Sequence, residues 1–243
     1  MHALIEAGLI THVDGGQRSE HLIRLQGDPA KPYYWESGRD QIDRIVKRAL
    51  TAASQGGVDR LALFAMVPIP LLAYLGACIG SKLGVTVFDR HRDDVGSDSW
   101  TWRTPDREAT VFEVVAGGED PEARDVVAQI AISGSATAGV LPDTFAGLPR
   151  IELHPSQGDG RAGLVESEAD LAAAVRAWTD LLAKTETLYP KIERLHVIAA
   201  VPASVAVNMG RQRMRGAHPD LVIYELNDKE YIPTPPITDP EDD

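Results

Sequence analysis

The stretches Asp59-Arg-Leu-Ala-Leu-Phe-Ala-Met-Val-Pro68 and Glu193-Arg-Leu-His-Val-Ile-Ala-Ala-Val-Pro202 decide the fold, because they are two copies of one pattern. At a constant offset of 134, Arg60, Leu61, Ala65, Val67, Pro68 and Gly76 match Arg194, Leu195, Ala199, Val201, Pro202 and Gly210. Each copy leads into an apolar, helix-like stretch, Leu71–Ile79 and Val205–Met214, then into a strand-like run, Val85–Phe88 and Leu221–Tyr224. Amphipathic stretches precede both copies. Ile42, Ile45, Val46, Ala49, Leu50 and Ala53 share a helical face within Ser37–Gln55, and Leu171, Val175, Trp178 and Leu182 share one within Ser167–Leu182. Ser167 and Asp170 have capping-box spacing. Each half reads helix, strand, proline turn, helix, strand.

Near-continuous apolar strands separated by helices imply parallel sheets. Right-handed crossovers then give an α/β fold of two Rossmann-like units. Thr110–Val115 and Ala128–Ser133 read as further strands of the first half. The expected organisation is a lead-in over 1–36, a first half over 37–150, a second half over 151–231 and an acidic, Pro-rich, poorly ordered tail over 232–243.

The chain has 243 residues, 44 % of them apolar and 25 % charged, which is ordinary globular composition. Its formal net charge of −12 argues against coating duplex DNA. The single cysteine, Cys78, excludes an internal disulfide and a cysteine-rich zinc site, and reads as core. Leu61–Gly80 is uncharged for twenty residues, but Pro68 and Pro70 break it, so a strand and a helix are expected rather than a membrane span. The N-terminus lacks a cationic n-region, so no signal peptide is expected and the chain reads as cytoplasmic.

In open α/β sheets the ligand sits beyond the carboxyl ends of the strands. Here those ends run into Ile69-Pro70 and Pro202-Ala203-Ser204. Helix starts there can aim amides at phosphates, with Ser204 as N-cap or phosphate donor, or they simply begin helices. Trp100 and Trp102 alternate on an extended segment and read either as a stacking platform for bases or as a core edge. Ser133-Gly134-Ser135 reads as a small-residue platform or a plain turn. Tyr224 and Tyr231 form a weaker aromatic cluster in the second half. Arg211, Arg213 and Arg215 read as compensation of a helix dipole. The histidines and Asp93-Asp94 show no metal-ligand spacing, and no P-loop, nucleophile elbow or Gly-x-Gly-x-x-Gly follows either strand.

Leu195–Arg211 followed by Leu221–Glu225 resembles the signature of SAVED domains. Leu61–Gly80 with Val-Phe-Asp-Arg-His91 and Trp100-Thr-Trp102 resembles the first half of that domain. The resemblance covers about residues 37–231 and implies two fused CARF-like units. It further implies a sensor of cyclic oligonucleotide second messengers, a cyclic tri- or tetranucleotide such as cyclic oligoadenylate, in CBASS or type III CRISPR antiviral defence. No other cofactor or metal is expected. Ligand-induced head-to-tail self-assembly would switch on a nuclease, TIR or protease effector, fused or separate. The pocket carried over would use Ile69, Pro70, Trp100, Trp102, Ser133, Gly134, Ser135, Pro202, Ala203, Ser204 and Tyr224. Residues 1–36 are short for an effector, so a stand-alone sensor or the sensor part of a longer chain is expected. The alternative is a hydrolase or ring nuclease acting on a cyclic oligonucleotide, with Ser204, His91 or Asp93 as its candidates.

Overall fold

The computed structural model describes residues 6–12, 18–56, 60–81, 83–91 and 100–239, the strands over 6–12 and 18–24 by their backbone. Asp93-Asp94, the residues just before Trp100 and the last four residues lie outside the described residues. Ten strands and four helices are defined among those that are described.

The duplication is realised element by element. In the first half α1 (Pro32–Ser54), β3 (Arg60–Phe64), α2 (Ile69–Ile79) and β4 (Gly84–Phe88) follow one another. In the second, α3 (Glu168–Leu188), β8 (Arg194–Ala200), α4 (Ala203–Arg211) and β9 (Asp220–Asn227) do the same. Both β3/β8 and α2/α4 begin at the offset of 134 read from the sequence. The uncharged run Leu61–Gly80 resolves into strand, turn and helix, and among the described residues no helix is long and apolar enough to cross a membrane. The Ser167 capping box forms: its hydroxyl accepts the Asp170 N–H while the Asp170 side chain takes the Ser167 N–H.

Two sheets result. The first has the order β2-β1-β3-β4, in which β3 and β4 are parallel. β1 (Glu6–His12) and β2 (Arg18–Arg24) form an antiparallel hairpin in which β1 pairs with β3 and β2 is the edge strand. The lead-in therefore completes a sheet, which the sequence alone does not assign to it. The second sheet has the order β10-β9-β8-β6-β7-β5. Its centre, β9-β8-β6-β7, is parallel, and β10 (Glu230–Pro233) and β5 (Phe112–Ala116) add antiparallel edges. The strands β5 and β6 (Asp125–Ala131), expected in the first half's sheet, hydrogen-bond instead into the second, alongside β7 (Arg150–Pro155). That expectation is corrected. The seven-residue pairing of β6 with β8 gives two strongly apolar strands a shared buried face that β4 does not offer.

One core runs through both halves, from Ile42, Leu63 and Leu75 to Val126, Trp178 and Leu195. At its centre α2 packs on α4 through two glycines related by the duplication. A Cβ on Gly76 would lie 1.9 Å from the Val207 carbonyl oxygen, and one on Gly210 would lie 1.8 Å from that of Ala73. The partners are themselves equivalent, since 73 and 207 differ by the same 134. The two halves thus meet about a local pseudo-two-fold relation, and both glycines are needed because the backbones touch.

The C-terminal segment is also built in, contrary to the expectation of a loose tail. Thr234 and Ile237 are buried, and Ile237 exchanges backbone hydrogen bonds with Leu221. Asp239 pairs with Arg213 at 2.7 Å.

Candidate functional site

The carboxyl ends of strands from both sheets come together. Asp89 directly follows β4 and reaches across to the first turn of α4, where its carboxylate accepts the Ser204 N–H at 2.8 Å and the Ser204 hydroxyl. Asp89 and Ser204 are buried, 8 % and 0 % exposed. Burial raises the Asp89 pKa, and the hydrogen bonds from Ser204 oppose that rise. The positive start of α4 thus already holds an internal carboxylate. Ser204 is placed otherwise than a ligand donor requires: it closes the joint between the halves.

The start of α2 differs. Pro70 has no amide hydrogen, and the Leu71 and Leu72 amides both donate to the Pro68 carbonyl, at 3.0 and 3.2 Å. Ile69 supplies the one remaining amide of that turn and is half-buried. Advancing Asp89 by the two-residue-longer offset of the second strand gives Glu225, which follows Tyr224 in β9. With Pro70 in place of Ser204, no such clasp forms there. Burial pushes the Glu225 carboxyl up to about 7; burial likewise raises the Tyr34 phenol, and the Glu225 charge adds to that rise. The pair Asp89/Glu225 was not singled out from the sequence; the signal was the shifted offset.

Ser133-Gly134-Ser135 lies beside the second turn. The Ile132 and Ser133 amides both donate to the Ala200 carbonyl, at 2.9 and 2.8 Å, so the ends of β6 and β8 are tied together next to Pro202-Ala203. Gly134 is open, with a Cβ there only 3.7 Å from that of Ala200. Ser135 makes a local turn, its hydroxyl oxygen accepting the Thr137 amide at 3.1 Å. This is a turn that places small residues at the strand ends.

The tryptophans do not share one extended face. Residues 100–101 form a turn, and the two indoles find different partners. Trp100 stands edge-on to Phe64, 5.4 Å between centroids, and Phe64 stacks on Phe88 at 4.8 Å. Trp102 packs half-buried against the main core. His91 Nε2 lies 3.1 Å from the Thr101 carbonyl, and Arg103 pairs with Glu166 at 2.8 Å, so the segment bridges the ends of β3 and β4 to the entrance of α3.

Tyr224 is elsewhere. It lies on the face of the second sheet turned from the main core, in a small cluster with Phe145, Ile198 and Tyr231. Its hydroxyl is 3.1 Å from His196 Nδ1, whose Nε2 is 2.9 Å from Asp125. Its polar atom is committed, away from Pro202-Ala203. Arg211 compensates a helix end, but that of the other half: it donates to the carbonyls of Gly80 and Leu83 after α2, at 3.1 and 3.2 Å. Cys78 sits beside Asp43, and burial pushes its thiol up to about 12, out of the nucleophilic range.

A model of the family described as SAVED, SMODS-associated and fused to various effectors sensor domain, matches residues 39–237. The chain belongs to the SAVED family. No curated protein matches it. Solved structures share the fold of this SAVED chain. The Acinetobacter baumannii Cap4 SAVED/CARF-domain receptor with the cyclic trinucleotide 3'3'3'-cAAA aligns at TM-score 0.64 and 19 % identity, covering 87 % of this chain and 46 % of that one. The same receptor with 2'3'3'-cAAA aligns at 0.61 and 17 %, covering 86 % and 44 %. The Moraxella osloensis Cap4 receptor aligns at 0.57 and 15 %, covering 86 % and 43 %. The chain therefore spans less than half the length of these receptors.

Proposed function

We propose that this SAVED chain is a receptor for a cyclic oligonucleotide, a cyclic tri- or tetranucleotide, bound where the strand ends of its two halves meet. The observation that carries the reading is the duplicated strand–proline turn–helix, joined at the strand ends by the Asp89–Ser204 clasp. The Ile69 amide, and the small residues Ser133-Gly134-Ser135 and Pro202-Ala203 that let a ligand approach the strand ends, suit phosphates. The half-buried Trp100 and Trp102 offer indole surface to bases. Ser204 acts through Asp89 by fixing the α4 turn, and Tyr224 acts by supporting β9. The likeness to Cap4 receptors that hold cyclic triadenylates supports this ligand class.

Occupation of that site then brings copies together head-to-tail and turns on an effector in a cytoplasmic antiphage response. Calorimetry of the chain against cyclic di-, tri- and tetranucleotides tests the first step. Light scattering with the tightest binder tests the second. Binding of one ring at micromolar affinity or better, weakened about tenfold or more by Trp102→Ala, is expected. Absence of binding across the panel refutes the reading.

A further inference from the structure

A groove of about 690 Å3 lies at the other end of α2 and α4, away from the Asp89–Ser204 clasp. Its walls are α1, the later part of α2, the turn after α4 and the strap Pro236–Thr238. Val46, Leu50, Ala77 and Ile237 give it an apolar lining. A second concavity of about 420 Å3 shares Lys47 and Thr51 with it and adds Arg44 and Arg48. Together they form a trough along α1 from Arg39 to Gln55, about 24 Å of helix.

The trough is basic although the protein is acidic. Arg39 and Arg213 are spent on the chain's own strap. Arg39 donates to the carbonyls of Pro235 and Pro236, and Arg213 pairs with Asp239. The one lining carboxylate, Asp43, accepts the Tyr74 hydroxyl at 2.9 Å. Lys47, Arg44, Arg48 and Arg215 make no side-chain hydrogen bond or ion pair with the described residues. Helix-dipole compensation does not account for the three on α1, because they lie ahead of its last turn, which contains no basic residue.

We propose that this trough docks an acidic polypeptide segment of another chain, apolar side chains toward Leu50 and Ile237 and carboxylates toward Lys47, Arg48 and Arg215. The strap is the precedent: the Pro-rich stretch over 234–239 already lies along one wall, with its carboxylate, Asp239, held by Arg213 and by the Gly216 amide at 2.6 Å. Nucleic acid fits less well. The one aromatic ring lining the trough, Tyr74, is covered by the Arg39 guanidinium at 4.3 Å and leaves that face closed to a base.

Fluorescence anisotropy of the full chain with a labelled peptide of alternating Glu and Leu tests the proposal. The controls are the Gln-for-Glu peptide, labelled oligothymidylate and cyclic triadenylate as competitor. The Glu–Leu peptide is expected to bind, more weakly as salt rises, while the Gln peptide does not. The double variant Lys47→Glu/Arg215→Glu, at two exposed positions, should weaken it about tenfold or more. The proposal is overturned if the peptide fails to bind, or binds the variant equally well. Binding of oligothymidylate that depends on Lys47 and Arg215 assigns the trough to nucleic acid. Displacement of the peptide by cyclic triadenylate assigns it to the messenger. Self-association abolished by the variant assigns it to a second copy.

Discussion

Replacing Gly76 by alanine places a methyl group 1.9 Å from the Val207 carbonyl oxygen. To reach an ordinary C–H···O contact of about 3.3 Å, α4 must withdraw by about 1.4 Å. The neighbouring atoms cannot yield alone, since they belong to the backbone of a buried helix, Val207 and Arg211. Withdrawal opens the interface through which the two halves share their core. Overpacking of this kind typically costs about 1–3 kcal/mol and sometimes more, and a backbone clash belongs at the upper end. For a domain of this size, about 3 kcal/mol lowers Tm by about 6–12 °C. Gly210→Ala should cost a similar amount, because it makes the same contact from the other side. The double variant should cost less than the sum, since helices parted by the first methyl accommodate the second. Gly134→Ala is the control: its methyl meets only Ala200 at 3.7 Å and should leave Tm nearly unchanged. Thermal unfolding followed by far-ultraviolet circular dichroism reads all four. A Gly76→Ala protein that melts within about 2 °C of the parent would refute the close packing of α2 on α4.

Other perturbations test the remaining supports. Asp170 is fully buried and accepts from Arg107 at 2.8 and 3.0 Å, from the Thr110 amide and from Ser167. Asp170→Ala should cost about 2–4 kcal/mol at pH 7, because the Thr110 amide and Ser167 lose their acceptor while Arg107 can turn to water. Burial opposes ionisation of Asp170, but its hydrogen bonds prevail and hold the pKa well below the carboxylate range. The difference should therefore shrink as pH falls below about 4, which urea unfolding across pH will show. Asp89→Ala leaves the Ser204 amide and hydroxyl unpaired in a buried joint and should cost about 2–4 kcal/mol in the same assay. Glu225 titrates the other way. Its folded pKa of about 7 exceeds its ordinary value, so its stabilisation is complete at low pH and is lost as pH rises through 7. Glu225→Gln should raise Tm by a few degrees at pH 8 and leave it unchanged near pH 4.5.

The repeat was legible because each half writes its own local pattern: an amphipathic helix, an apolar strand, a proline turn and a second helix. These are short-range signals, and α2 and α4 begin where the offset of 134 put them. Sheet membership was not legible. Phe112–Ala116 and Asp125–Ala131 announce strands, but nothing local says that β6 pairs with a strand some 70 residues later rather than with β4. The hairpin was not legible because the apolar run in Glu6–His12 is short and its partner Arg18–Arg24 carries the charged residues of an edge strand. The strap hid behind its prolines and acids, although Thr234 and Ile237 are anchored. At the site the turns were found from their residues, whereas the occupant of the α4 start was not. Asp89 belongs to a charged run that reads as solvated surface, and only the tertiary contact with Ser204 gives it a role. Tyr224 was placed near the turns by its position after an apolar strand, but alternation along β9 sends it to the other face of the sheet.

Hydrogen exchange of the full chain, with and without saturating cyclic triadenylate, locates the ligand on the fold. Slowed exchange is expected at the strand ends, in residues 65–72, 100–103, 131–137 and 200–206, with α1 over 39–55 unchanged. Protection confined to α1 and the strap, or none under conditions where calorimetry detects binding, would contradict that placement.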